Sequence, residues 1–500
     1  MKIVRNIIAI IGVTLLLNSC YSLDQEPYGR FAEPNSFKDE KDALFWRNGM
    51  YNYMRNRVYG LPMYMTDVQA DMLNLRSPET HPLAGIHGWN DFTSTNNNVS
   101  SVWTAMYLGI RNINSALEGF NKIPQQTTAI EQYRGELYLG RAYYQTYLVT
   151  HFCKAYNPST ANTDLGLALF DDVLFKQFPS RSSLEVTYNK ILDDIAKAEN
   201  ILSGTATTTK NYTTIKYFNV DAVKALKARV LLYKQDWANA YAVSSTLIEG
   251  TRAKYPLITT KEQLTSEWHT DGSKESITQF AGYVDEPLSG ANDIYLSYNK
   301  SMLNYSASFL PTKSAIDLYG ANDIRKDVYF IEGNISGVRG VKGILVNKYA
   351  DNELFKTNAN TPSYLHQPKI FRIAEQYLIA AEAAYKNGDE TNAKKYLNEL
   401  REARGYGANS VTSTGNDLYT EIKDERTREL AFEGFRLYDL QRWQQDVVRG
   451  TPQSLRLINS NNPSLTYQLN RPYTDFKIVW PLSPKDIEGE EGRLQQNPGW

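Results

Sequence analysis

Histidine and cysteine are scarce in this chain, at 5 and 2 residues in 500. A zinc site therefore has little raw material, and no metal or other cofactor is expected. His151-Phe152-Cys153 reads as packing, because adjacent residues do not share a helix face. Net charge is equally small: 54 Lys+Arg against 55 Asp+Glu leave −1. No bulk field draws the chain to nucleic acid or anionic lipid, and no basic cluster of the phosphate-neutralising kind stands out. The apolar run Ile7 to Leu17 is too short to cross a bilayer, which takes about 20 apolar residues. Also missing are a nucleophile elbow, a phosphate-cradling glycine loop and a zinc-protease helix motif. The Gly-rich piece from Gly333 to Gly343 lacks the strand–helix context of such a loop.

Lys2 and Arg5 ahead of the Ile7–Leu17 run give residues 1–19 the shape of a secretory signal peptide. The run ends in Leu17-Asn18-Ser19-Cys20, which resembles the lipobox of bacterial lipoproteins. The resemblance implies cleavage before Cys20 and a diacylated, N-acylated cysteine, and two or more acyl chains anchor stably. Tyr21 and Ser22 follow, with no Asp to argue for inner-membrane retention. Residues 20–34 read as a tether. With Cys20 lipidated, Cys153 stands alone and no intramolecular disulfide can form.

Aromatics are abundant, with 35 Tyr and 8 Trp. Such rings pack helix on helix or, where a polar tip stays wet, stack on sugars and grip peptides. Helical periodicity covers 37–53, 102–120, 132–150 and 182–202, the last capped by Ser182 or Ser183. Residues 66–99 lack a long period and read as a loop-rich excursion. Two helix pairs then repeat one another. Ala228, Leu232, Asp236, Ala240 and Ser244 in the first match Ala381, Tyr385, Asp389, Ala393 and Leu397 in the second. Each passes a polar turn, Gln235-Asp236 or Gly388-Asp389, and small residues allow close helix approach. The pattern resembles the tetratricopeptide unit, with Gln132–Thr150 as the start of a further pair. Residues 261–360 are rich in Gly, Ser, Asn and Tyr, with strand-like pieces at Ser276–Phe280 and Ile344–Tyr349.

Five segments carry a wider resemblance. They are the lipobox; Arg134-Gly135-Glu136 through Arg141-Ala142-Tyr143-Tyr144; Val220 to Trp237; Arg372-Ile373-Ala374-Glu375 to Leu397-Asn398; and the run from Glu425 to Trp443. With the ending Asn497-Pro498-Gly499-Trp500, they resemble the SusD/RagB family of outer-membrane nutrient-binding lipoproteins. The fold implied is mainly α: tetratricopeptide-like helix-turn-helix pairs form a scaffold, and a loop-rich, irregular ligand-binding region contains short strands. The implied layout is an N-terminal helical part at 35–260 with a ligand loop at 66–99, a variable region at 261–360, and a C-terminal helical part at 361–500. The implied role is a surface-exposed, lipid-anchored binding protein of the outer membrane, not an enzyme. It would capture an oligosaccharide and hand it to a SusC-like TonB-dependent transporter. A peptide ligand is the alternative within the family, and a glycan-degrading enzyme is the alternative outside it.

The Glu425–Trp443 run has its own physical reading. Glu425, Glu429 and Glu433 step by four, and Glu433–Arg436 and Asp439–Arg442 are spaced to pair on a helix. A layer of paired charges is expected rather than a glycosidase carboxylate pair, whose acid needs a raised pKa. For sugar contact, the early excursion offers Asp67, Asp71, Arg76, Trp89, Asn90 and Asn96, resembling the acid, Arg, Trp and Asn of the family's glycan binders. The middle region adds Trp268, Tyr283, Tyr295, Tyr298 and Tyr305.

Overall fold

The computed structural model describes residues 36–77, 81–171, 179–205, 210, 213–286, 288, 290, 294–458, 463–489 and 494–500. The signal segment, Cys20 and the tether lie outside the described residues. Helix α1 (Glu40–Arg55) begins where the Asp39 side chain accepts from the amide of Asp42. It is followed by α2 (Leu61–Gln69), α3 (Asn97–Phe120), α4 (Thr128–Phe152) and α5 (Leu184–Leu202). Ser183 is the cap of α5, its hydroxyl accepting from Val186.

The repeated pairs are α6 (Val220–Tyr233) with α7 (Trp237–Thr251), and α9 (Ile373–Lys386) with α10 (Glu390–Ala403), separated by α8 (Lys261–His269). Their turns match in detail. Asp236 and Asp389 cap α7 and α10 by accepting from Asn239 at 3.4 Å and Asn392 at 3.0 Å. Each cap satisfies an otherwise orphaned amide and contributes about 1 kcal/mol. The residue before the cap is left-handed in both: Gln235 at φ 60° and Gly388 at φ 82°. Ala228 and Ala381 are fully buried, as close helix packing requires. Helix α9 lies against α6, α7, α10 and α11 (Gly415–Glu429), and α4 runs along α5, which abuts α6. The result is a tetratricopeptide-like stack with one main apolar core from Ala43 to Leu494. The remaining strands are short antiparallel pairs, among them Ser276–Gln279 with Lys369–Arg372 and Phe330–Asn334 with Lys342–Val346.

The most family-like run folds differently from a single helix. Helix α11 stops at Glu429, and the chain turns through Phe432 (φ 62°) and Gly434 (φ 82°) before α12 (Arg436–Arg442). A Cβ at Gly434 would lie 2.9 Å from the Met63 carbonyl oxygen, so the turn needs glycine there. Glu433 therefore leaves the face it was expected to share with Glu425 and Glu429. It pairs with Lys348 at 2.6 Å and Arg372 at 2.5 Å, not with Arg436. Arg436 reaches Asp71 at 2.7 Å. The Asp439–Arg442 pair forms as expected, at 2.7 Å.

Around this turn is a buried charge layer. Glu429 is bonded by Arg325, Arg372 and Arg404, each at 2.9 Å, and Glu425 by Arg325 at 2.7 Å. The surrounding guanidinium charges hold Glu425 down at about 2 and Glu429 well below the usual carboxylate range, against the opposing push of burial. Neither can hold a proton for general acid catalysis near neutrality.

Candidate functional site

Three distant parts of the chain meet over a satellite core of Leu296, Ala307, Leu310, Ile335, Leu345, Leu457 and Ile458. Leu73–Leu75 pairs antiparallel with Phe309–Pro311, and Arg76 bridges to Ile458. The Arg76 guanidinium donates to the carbonyls of Ala307 and Ser336, tying the early loop to the 261–360 region.

On this platform stands a small hairpin, Tyr298–Asn299 paired with Asn304–Tyr305. Its two tyrosine rings are both partly exposed, with centroids 4.7 Å apart and planes 42° apart. Tyr298 is held from behind, its amide donating to the Tyr364 hydroxyl at 2.9 Å. One edge of the Tyr305 ring lies against Gly333, where an added Cβ would come within 2.4 Å of it. Asn299 turns the hairpin by accepting from Ser301 and Met302. The Asn304 side-chain oxygen is shielded and has no partner among the described residues. Met302 and Leu303 at the tip are 69% and 64% exposed. Charge here is scant, since Lys300 donates to the Ala359 carbonyl and Lys342 faces Glu332 at 3.2 Å. Two partly exposed rings, the exposed Asn299 and little charge suit a neutral, hydroxyl-rich or amide-rich ligand.

Most residues singled out in the early excursion lie inside the scaffold instead. Trp89 is fully buried against Ala70, Leu437, Leu440 and Ile478, and its indole N–H donates to the Gln69 carbonyl at 3.0 Å. It offers no face to a ligand, which corrects the expectation of a solvent-presented ring. Asp67 is also enclosed; it accepts from the Gly434 amide at 3.0 Å, and burial pushes its carboxyl up to about 8. Asp71 is taken by Arg436, Arg76 by backbone carbonyls, and Asn96 by the capping of α3, where it accepts from Asn98 and Val99. Asn90 is exposed. Trp268 is buried with the ammonium of Lys348 4.1 Å from its ring centre, and Tyr295 is buried edge-on to Tyr64 and Phe432. Tyr283 is 52% exposed, on the segment whose Ala281 carbonyl is bonded by Arg55. Sequence reasoning named Tyr298 and Tyr305 but passed over Tyr364, Asn299, Asn304 and Gly333. The signal was present in Tyr298-Asn299 and Asn304-Tyr305, which mirror each other about a four-residue tip.

A pocket of about 100 Å³ is lined by Tyr147, His151 and Trp268. Burial lowers His151 to about 4, so its ring is neutral, and Nδ1 lies 2.7 Å from the Tyr147 carbonyl. The space is below the range of about 300–1,000 Å³ usual for ligand sites.

Fold and face together define a helical-repeat scaffold that carries an aromatic, nearly uncharged face on a loop-rich segment. Residues 331–500 match the model described as "SusD family", and residues 23–232 match that described as "Starch-binding associating with outer membrane". The chain belongs to the SusD/RagB family. It is 25% identical to SusD-like protein P38 of Formosa agariphila over 96% of both chains. A SusD superfamily crystal structure from Bacteroides thetaiotaomicron superposes with TM-score 0.78 at 22% identity, covering 92% of this chain and 99% of that one. A structure titled "Laminarin binding SusD-like protein" gives TM-score 0.70 at 20% identity, covering 93% and 100%.

Proposed function

We propose that the protein is a cell-surface glycan-binding lipoprotein. In this reading Cys20 carries the lipid that holds it to the outer membrane, and a SusC-like TonB-dependent transporter receives the captured oligosaccharide. It is a binding protein without catalytic activity. The observation that carries the reading is the partly exposed Tyr298–Tyr305 ring pair beside the exposed Asn299. Sugar C–H faces stack on such rings, and amides bond the hydroxyls. The name of the laminarin-binding relative and the starch-binding description of the N-terminal family model support the same ligand class.

The test is calorimetric titration with maltohexaose, laminarihexaose, cellohexaose, xylohexaose and mannohexaose. At least one should bind and be recovered chemically unchanged. The double variant Tyr298→Ala/Tyr305→Ala should weaken that binding about thirtyfold or more, the loss expected when a ring worth about 2 kcal/mol is truncated. Binding of peptide digests and of no glycan would move the assignment to the peptide-binding alternative. Release of shortened products would make the protein an enzyme.

A further inference from the structure

A second depression lies where the α6–α7 turn, the 154–165 loop, the end of α12 and the 473–479 segment meet. It is an open cleft of about 770 Å³, within the range of about 300–1,000 Å³ usual for ligand sites. Tyr156, Gln235, Gln441, Gln444, Tyr473 and Phe476 are among its lining residues. Tyr473 and Phe476 are 38% and 41% exposed, whereas Gln441 is only 9% exposed. The Gln441 side chain lines the cleft, where its amide can both donate to and accept from a ligand. The charges at the wall are already engaged. Lys154 holds Asp164 at 2.9 Å, and Arg442 is spent on Asp439 and Glu382 at 2.7 Å each.

The repeat supplies an internal control. At the left-handed turn position, one hairpin uses Gly388, with no side chain to strain, while the other uses Gln235 at φ 60°. Its amide donates to the Tyr156 carbonyl at 2.6 Å, fixing that wall of the cleft. Gln444, also at the cleft, is held at φ 55°. Two glutamines thus sit in a backbone region that disfavours side chains, at a lining otherwise rich in rings and amides.

We propose that this cleft is a second binding subsite for a neutral oligosaccharide segment: Tyr473 and Phe476 stack on sugar faces while Gln441 and Gln444 bond hydroxyls. The inference rests on the glycan reading of the Tyr298–Tyr305 face and adds a site remote from it in sequence. Two sites on one rigid body engage a long chain more tightly than either alone, because the second contact forms at high effective concentration.

The test uses the folded chain and the hexasaccharides above, with the Tyr298→Ala/Tyr305→Ala variant as background. Residual binding should persist in that background. It should fall about tenfold or more on adding Gln441→Ala, and on adding Tyr473→Ala, whose exposed ring carries little of the fold. Saturating glycan should slow amide exchange in residues 473–479 of the otherwise unaltered protein. If no glycan binds even the unaltered protein, the glycan reading and the subsite fall together. If glycan binds the unaltered protein but the background variant retains nothing and 473–479 gains no protection, the subsite alone falls. Protection of 473–479 by a peptide digest, without effect from any glycan, overturns the ligand class assigned to the cleft.

Discussion

The charge layer around Glu429 and the face around Tyr298 both hold groups capable of recognising a sugar, and they use them in opposite ways. Glu425, Glu429, Arg325, Arg372 and Arg404 are buried, and they bond one another in multiple close pairs. Tyr298 and Tyr305 leave their rings partly open, and Asn299 beside them is exposed. Chemical type alone does not separate the two regions; satisfaction does. A polar group whose bonding capacity is filled from within holds the fold, and one left unfilled on an open face is available to a ligand.

The largest effect that would break the comparison lies at Glu429. Glu429→Ala strips the shared carboxylate from three buried guanidinium groups, and removing one partner of a buried pair costs about 3–5 kcal/mol. The variant should express poorly or melt far below the unaltered protein, and an unchanged thermal midpoint would show that the layer is not structural. Trp89→Ala comes next. Deleting a core indole costs about 3–5 kcal/mol, so the midpoint should drop steeply and any loss of binding should track unfolding. Normal stability with lost glycan binding would return Trp89 to the site.

Asp67→Asn sharpens the contrast by pH. The folded carboxyl has its pKa raised to about 8 from an ordinary value of 3.8. Between these values the folded state holds a proton that the unfolded state has released, so the folded state binds more protons and stability falls as pH rises. Below the ordinary value both states are protonated and the term vanishes. The asparagine variant, which can still accept from Gly434, should flatten this slope between about pH 4 and 8 and gain about 1 kcal/mol or more at the upper end. Denaturant midpoints measured across that window decide it; a slope equal to that of the unaltered protein refutes the buried, protonated Asp67. The smallest stability effect belongs to Tyr298→Ala. Its midpoint should shift by no more than about 0.5–1 kcal/mol equivalent while glycan affinity drops, and a large fall in midpoint would place the ring in the scaffold after all.

The scaffold was legible because its signals are local. Helix periodicity, the Asp236 and Asp389 caps, the buried alanines at Ala228 and Ala381, and the Asp439–Arg442 pair each depend on residues a few positions apart. Which helix pair stacks on which was not local: α9 packs on α7 across residues 252–372. The signals misled where a turn intervened. Gly434 with Phe432 at positive φ broke the expected helix and gave Glu433 to Lys348 and Arg372, and Arg436 to Asp71.

Which ring is core and which is surface depended on contacts hundreds of residues apart. Trp89 and Tyr298 are similar in sequence context, each an aromatic beside asparagines in a loop-rich stretch. Trp89 is enclosed because Leu437, Leu469 and Ile478 close over it, and Tyr298 stays open because its hairpin stands on the satellite core built from Leu310, Leu345 and Leu457. The sequence by itself determined the helical repeat, its caps and its turns, since backbone hydrogen bonding and apolar period act over one or two helical turns. Tertiary structure alone decided which polar and aromatic groups are filled and which are free, because burial is a property of what the rest of the chain lays on top.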